Sequence, residues 1–271
     1  MRRRALLALS GALLLLLGGC AGAVHQLPQV SEGQVAAALA EVRSEAGGMQ
    51  RRPVSDAEVI AALRAAKLRI HAAALELCRE MNVGTCHWQF EALRSSVLNA
   101  SAMGNGLVLL NRGLVEYGLS EEELCLVIAH EIAHHAADHV GQSVRNQMIG
   151  ATIGAVLLGA ATAAITSGQR DSGYAIRAAT QIGMQGGAMI GQLSFSKEQE
   201  READYLAALI LYRAGVDLDK ARGLLVTMAR SSARNETTVL DSHPIGPDRL
   251  AAWDRAVAEI RESNGRLPPR A

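Results

Sequence analysis

Proline is missing from the whole stretch between residues 53 and 244, and aromatic residues make up only 3% of the chain. The first absence removes the strongest helix breaker, so long helices can run there uninterrupted. Neither sign of charge is in excess. With 27 basic residues against 27 acidic ones, the electrostatic footprint of a nucleic-acid binder is excluded. No segment recurs at a fixed period, which argues against a built-in tetratricopeptide domain for partners. What is present is a chain of 271 residues, 49% apolar and rich in Ala, Leu and Gly, enough for one large domain or two small ones.

The start of the chain reads as a processing signal. Arg2, Arg3 and Arg4 precede an apolar run from Ala5 to Leu17, then Gly18-Gly19-Cys20. That layout is a secretory signal peptide, and its end resembles the bacterial lipobox. The resemblance implies cleavage before Cys20 and lipidation of that residue. Ala21, in place of aspartate, favours the outer membrane by analogy with lipoprotein sorting. Loss of the three arginines leaves 24 basic residues against 27 acidic ones, so the mature chain is slightly acidic. Cys78 and Cys86 flank a turn-like Asn82-Val83-Gly84. In an oxidising compartment they form a short disulfide; otherwise they are two partly buried thiols. Cys125 lies in an apolar run and reads as core.

Helices and a few strands follow from the periodicity. Residues 20–55 read as a tether with at most one short helix. Ser55 or Asp56 caps a helix to about Met81, with Val59, Leu63, Ala66, Ile70, Ala73 and Leu77 on one face. Trp88 to Leu93, Val97-Leu98 and Leu107 to Leu110 suggest short strands, punctuated by Gly104-Asn105-Gly106. Ser120 with Glu123 forms a capping box that opens a helix continuing through Val140. Residues 142–193 are small and apolar and suggest two helices. Ser196 with Gln199 opens another helix to about Gly215, and two more cover about 217–231 and 247–263.

The chemistry lies in His130-Glu131-Ile132-Ala133-His134. Histidines at i and i+4 share a helical face, a spacing that suits two imidazoles on one zinc ion, with Glu131 beside the metal as proton acceptor for a water molecule. Leu124, Val127, Ile128 and Ile132 make the helix mostly buried, and buried histidines need partners. A third protein ligand is required. The glycine and histidine that a metzincin would carry are replaced by Ala137 and Val140. His139 sits just over a turn beyond His134 and suits a structural role better than ligation. The other source is a carboxylate on a second helix. Glu200 and Asp204 lie at i and i+4, so Glu200 can bind zinc while Asp204 accepts the other ring N–H of a ligand histidine. Read alone, this acidic run, Glu198 to Asp204, fits a solvated helix start better, since helix starts favour carboxylates; beside the histidine motif the ligand reading prevails.

Taken together these motifs resemble the HtpX/BepA zinc endopeptidases, a family that also includes the CAAX prenyl protease. The likeness covers roughly residues 56–260: Asn99-Ala100, Gly106 to Leu110, Asn111-Arg112-Gly113-Leu114, Glu121-Glu122-Glu123-Leu124, the histidine motif, Glu200 to Asp204, then Ser242-His243-Pro244 with Arg249. It implies a mainly α fold with a small β-sheet, a zincin-like gluzincin metallopeptidase domain. It implies His130, His134 and Glu200 as ligands of one Zn2+ and Glu131 as base. It implies that the strand Leu107, Val108, Leu109, Leu110 binds substrate by strand addition. His243 would lie near the metal, either stabilising the oxyanion or blocking the site, and Arg249 would support the same loop. The multi-span members carry membrane helices that this chain lacks, so the lipoprotein members of the LoiP type fit better.

The expected organisation is therefore a signal peptide over 1–19, a lipidated tether over 20–55, a zinc metallopeptidase domain over 56–263 and a tail over 264–271. Residues 142–193 form a Gly/Ala-rich helical hairpin insert within that domain. Met148 to Ile165 is 18 residues without a charge, near the lower limit for a membrane span. A single span would put His134 and Glu200 on opposite sides of the membrane, so a packed hairpin, gating the site or resting on the membrane, is expected instead. The expected function is cleavage of misfolded or misassembled envelope proteins at the outer membrane, on its periplasmic side. The alternative is a chaperone or assembly factor for outer-membrane proteins with latent proteolysis. Expected partners are protein or peptide substrates, the membrane through the N-terminal lipid, and the outer-membrane assembly machinery.

Overall fold

A computed structural model describes residues 22–44, 49–166, 174, 176–182, 195–233, 243 and 245–271. The signal peptide, Cys20 and parts of the expected hairpin (167–173, 175 and 183–193) lie outside the described residues. The long proline-free stretch is mainly helical. In chain order the elements are α1 (Glu32–Ser44), α2 (Asp56–Met81), β1 (Gln89–Leu93), β2 (Ala100–Met103), β3 (Leu107–Asn111) and α3 (Gly113–Glu116). There follow α4 (Glu121–Ala136), α5 (His139–Thr166), α6 (Lys197–Arg213), α7 (Leu218–Ala233) and α8 (Pro247–Glu262). The fold is mainly α with one small sheet, as expected.

The core forms around α4. Every side chain from Leu124 to Ala136 is buried, and the helix packs against α2, α6, α7 and β2. Helix α2 supplies a stripe of Val59, Leu63, Ala66, Ile70, Leu77 and Met81. Ser55 caps it by accepting from the Glu58 N–H, and Asn82 stops it in the left-handed region at φ 49°. The chain then closes the far end of α4: the Gly84 and Thr85 N–H groups donate to the carbonyls of Ala136 and His135. A Cβ on Gly84 would collide with the His135 carbonyl oxygen, so only glycine allows this approach. A Cys78–Cys86 disulfide, eight residues apart, pins the same loop. Closing a loop that short removes unfolded-state entropy worth about 2.5 kcal/mol. Cys125 packs inside, where burial pushes its thiol up to about 12, so it is no nucleophile.

Several expectations are corrected. The second strand is not Val97-Leu98 but Ala100–Met103, three residues on, with Val97 left exposed. Strand β3 is central, parallel to β1 and antiparallel to β2 over Leu107 to Leu110. Both of its edges are used, so Leu107, Val108, Leu109 and Leu110 cannot accept a substrate strand. The helix of the histidines does not run through Val140. It ends at Ala136, and Asp138 takes a left-handed conformation (φ 58°) before α5 begins. Asp tolerates that region better than most residues.

Residues 22–44 are not a free tether, since Ala38 and Val42 of α1 are buried in the core. Nor is the C-terminus a free tail. His25 pairs antiparallel with Arg270, the Gln26 N–H donates to the Pro269 carbonyl, and the Ala271 N–H donates to the Val24 carbonyl. These two ends form a short ribbon on the domain. Helix α5 leaves it as an arm. It is long and apolar enough to cross a membrane and almost none of it is buried. Met148, Ile149, Val156 and Leu157 are all exposed. Residues 176–182 pack back along it, close enough that a Cβ on Gly159 would press on Thr180.

Candidate metal centre

Two capped helices bring the polar cluster together. Ser120 accepts from the Glu123 N–H while Glu123 accepts from the Ser120 N–H and hydroxyl, fixing the start of α4. Ser196 and Gln199 do the same for α6. Each cap satisfies donors that a buried helix start would otherwise leave unpaired. The two helices pack face to face. His130 and His134 on α4 meet Glu200 and Asp204 on α6, all four buried.

The inner geometry converges on one point. His134 Nε2 lies 3.0 Å from His130 Nε2. Glu200 Oε2 is 3.4 Å from His130 Nε2, and Glu200 Oε1 is 3.5 Å from His134 Nε2. His243 joins from the loop before α8, with Nδ1 2.7 Å from Glu200 Oε1 and 3.3 Å from His130 Nε2. His130, His134, Glu200 and His243 each offer a donor atom within 4.8 Å of the others.

A surrounding layer fixes these groups. His130 Nδ1 donates to Asp204 Oδ1 at 3.0 Å. Arg249 grips Asp204 with two bonds of 2.8 Å, reaches Glu200 Oε2 at 2.7 Å and donates to the His243 carbonyl at 3.3 Å. On the far side of His134, Phe195 stacks at 3.7 Å between ring centroids. Phe195 also packs with Ala102 of β2 and Val140 of α5, tying the sheet edge to the cluster.

The electrostatics suit a cation. Burial works against a charged His130, but the carboxylates of Asp204 and Glu200 outweigh it and raise its pKa to about 10. Burial, then the neighbouring charge of His130, pushes His134 well below its ordinary value. Burial would raise Glu200, yet its bonds to His130 and His243 hold it far down. With the histidines neutral, as metal ligands are, three carboxylates (Glu131, Glu200, Asp204) against one guanidinium (Arg249) leave a formal charge of minus two in a buried place. A dication balances that charge, and two imidazoles with a carboxylate are the donor set zinc prefers. Glu131 Oε2 is buried with no hydrogen-bond partner among the described residues. A cavity of about 30 Å³ lies beside it, lined by His130, Glu131, His243 and the apolar Leu126, Val127 and Leu224. That is room for water but not for a peptide side chain. A separate cavity, about 1080 Å³, lies between α2, the Gly104–Gly106 turn and the root of α5, and none of the four cluster residues lines it.

The residues picked out in the sequence are thus brought together: His130, Glu131, His134, Glu200, Asp204, His243 and Arg249. Leu107 to Leu110 are not, being in the middle of the sheet. Glu202 and His25 went unrecognised. Glu202 lies within an acidic run that reads as a solvated helix start, but it is fully buried and bonds His139 and His25. Its pKa falls to about 2, because burial is outweighed by the bonds from those two histidines. No local signal points to His25, which lies 177 residues away in the chain.

A helix with two histidines and a glutamate, faced by a helix that brings a further acid to the same point, defines a zinc metallopeptidase. The chain belongs to peptidase family M48, whose model matches residues 64–257, the kinship that the separated motifs had suggested. It is 30% identical over 190 residues to the beta-barrel assembly-enhancing protease of Escherichia coli, covering 67% of this chain and 37% of that protein. It is 32% identical over 182 residues to a putative beta-barrel assembly-enhancing protease of Vibrio cholerae, covering 66% and 35%. The match thus spans little more than a third of the length of these curated relatives.

Proposed function

We propose that the chain is an endopeptidase of the bacterial envelope that cleaves misfolded or misassembled envelope proteins. The observation that carries this is the buried meeting of His130, His134 and Glu200 beside Glu131, whose Oε2 has no hydrogen-bond partner among the described residues. In this reading His130, His134 and Glu200 hold zinc, which when bound supplies a Lewis acid that polarises the scissile carbonyl and acidifies water. Glu131 accepts the proton of the attacking water and returns it to the departing amide nitrogen as the C–N bond breaks. Asp204 keeps the Nε2 of His130 turned inward by accepting at Nδ1, and Arg249 holds Asp204 and Glu200 in place. The substrate strand is assigned to the outer edge of β2, which has no neighbour there among the described residues and packs on α4. The test uses the chain starting at Ala21 with casein: cleavage should vanish with a chelator and return with zinc. Cleavage indifferent to the chelator sinks the proposal.

A second reading, an assembly factor with latent proteolysis, draws support from the closed geometry. His243 takes a fourth donor position, and catalytic zinc sites keep one position open. The names of the relatives, which speak of β-barrel assembly, point the same way. In either reading His243 must withdraw before a peptide enters. His243→Ala is therefore expected to raise casein cleavage several-fold; a fall would instead assign His243 to the oxyanion.

Anchoring at the outer membrane through Cys20 is part of the proposal. Because Val24 and His25 are docked, only three residues, Ala21 to Ala23, separate the anchor from the domain, a reach of about 14 Å. The apolar arm begins at the same place, since His25 and His139 share the carboxylate of Glu202. The arm would then rest in the lipid surface. The unlipidated chain should float with phosphatidylethanolamine–phosphatidylglycerol vesicles, and Val156→Asp with Leu157→Asp should abolish flotation while casein cleavage persists. Equal flotation of the two proteins would refute the membrane contact.

A further inference from the structure

Glu202 is the one carboxylate of α6 that turns away from the metal cluster yet is wholly buried. Four donors saturate it. Oε1 accepts from the His25 N–H at 2.9 Å and from His25 Nδ1 at 2.7 Å. Oε2 accepts from the Val24 N–H at 2.8 Å and from His139 Nε2 at 2.9 Å. Three of the four come from the N-terminal segment, which the ribbon with residues 269–271 holds in place.

This saturation has a consequence in series. An ionised carboxylate only accepts, so His139 must carry its proton on Nε2. The Nδ1 of a neutral His139 is then an acceptor, and it faces His134 Nδ1 at 3.1 Å. His134 must therefore donate from Nδ1, which leaves its Nε2 bare, and that nitrogen is the one turned towards His130 and Glu200. The helix break at Asp138 makes the contact possible. In an unbroken helix a residue five positions on lies about 140° round the axis, well away from His134.

We infer that Glu202 and His139 are positioning residues for His134: they fix its tautomer and ring orientation, and the docked Val24–His25 segment holds Glu202 in the state that does so. The N-terminal segment is then a structural part of the metal site. The inference rests on the reading of His134 as a zinc ligand, but it has a readout that needs no metal.

The test compares the mature chain, purified in detergent, with Glu202→Gln, His139→Gln and the double variant. Zinc affinity is measured by chelator competition, and the tautomer of His134 by long-range 1H–15N spectra of the metal-free protein. Each single variant should weaken zinc binding by about 10–100-fold, the range for groups that orient a ligand. The double variant should lose no more than the worse single one, since the two act in one chain. The His134 signal should change from a single Nδ1–H form to a mixture in Glu202→Gln. His139→Gln retains an N–H for Glu202 and carries the test if Glu202→Gln does not fold. Unchanged affinity and tautomer, or losses that multiply in the double variant, would overturn the inference. A parent chain that binds no zinc would defeat the reading of the metal site, while the tautomer measurement would still decide the relay.

Discussion

Glu131→Gln should lower casein cleavage by about 10²–10⁴-fold, the usual worth of a positioned general base, with zinc content unchanged. The argument has two parts. Glu131 is on α4 between the two histidines, and its Oε2 has no hydrogen-bond partner among the described residues, whereas Glu200 Oε2, which also lacks one, is paired with the Arg249 guanidinium at 2.7 Å. Glu131 Oε1 lies 3.6 Å from His243 Nε2. Glutamine keeps the shape of the side chain and disturbs none of the bonds that hold His130, His134 or Glu200, so metal binding and fold survive. What is lost is the ability to accept a proton. Zinc content by elemental analysis and cleavage rate on the same preparation separate the outcomes. Loss of rate with zinc retained assigns the base. Loss of both would make Glu131 part of the metal-holding structure, and an unchanged rate would remove it from the chemistry. The same variant divides the two readings of function, because an assembly factor with latent proteolysis keeps its assembly role without this carboxylate.

The sequence exposed what is local. The spacing of His130 and His134, the i and i+4 pair Glu200 and Asp204, and the two serine caps all lie within single helices, where 3.6 residues per turn fixes what shares a face. Those parts were legible because the rule that places them acts over a few residues. Strand order is another matter. Leu107 to Leu110 has the alternation of a strand whether it is central or at an edge, and only the pairing with both β1 and β2 settles which. The apolar pattern after His134 suited a helix through Val140; the left-handed Asp138 goes together with a bond of His139 to Glu202, a contact made across 63 residues. The burial of residues 24–25 is likewise a long-range event, closed by a carboxylate on α6 and by the last residues of the chain.

Arg249→Met should cost about 3–5 kcal/mol in the metal-free protein, because it strips the partner from buried charges. The guanidinium is the fixed counter-charge of both Asp204 and Glu200, and methionine fills much of its volume without its donors. The loss should be smaller when zinc is bound, since the dication then supplies positive charge at the same place and binding to the native state adds stability by mass action. Denaturant titrations of parent and variant, with chelator and with zinc, measure the difference. They belong near pH 6, for a reason of sign. The raised pKa of His130 in the metal-free chain means that its proton stabilises the fold fully below about 6.5, the free-imidazole value, and that this contribution is lost as the pH rises through about 10. At pH 6 the imidazolium is therefore kept in parent and variant alike, and the measured gap belongs to Arg249. Equal losses with and without zinc would mean that Arg249 acts by packing alone. A larger loss in chelator would mean that its charge and the metal's serve the same two carboxylates.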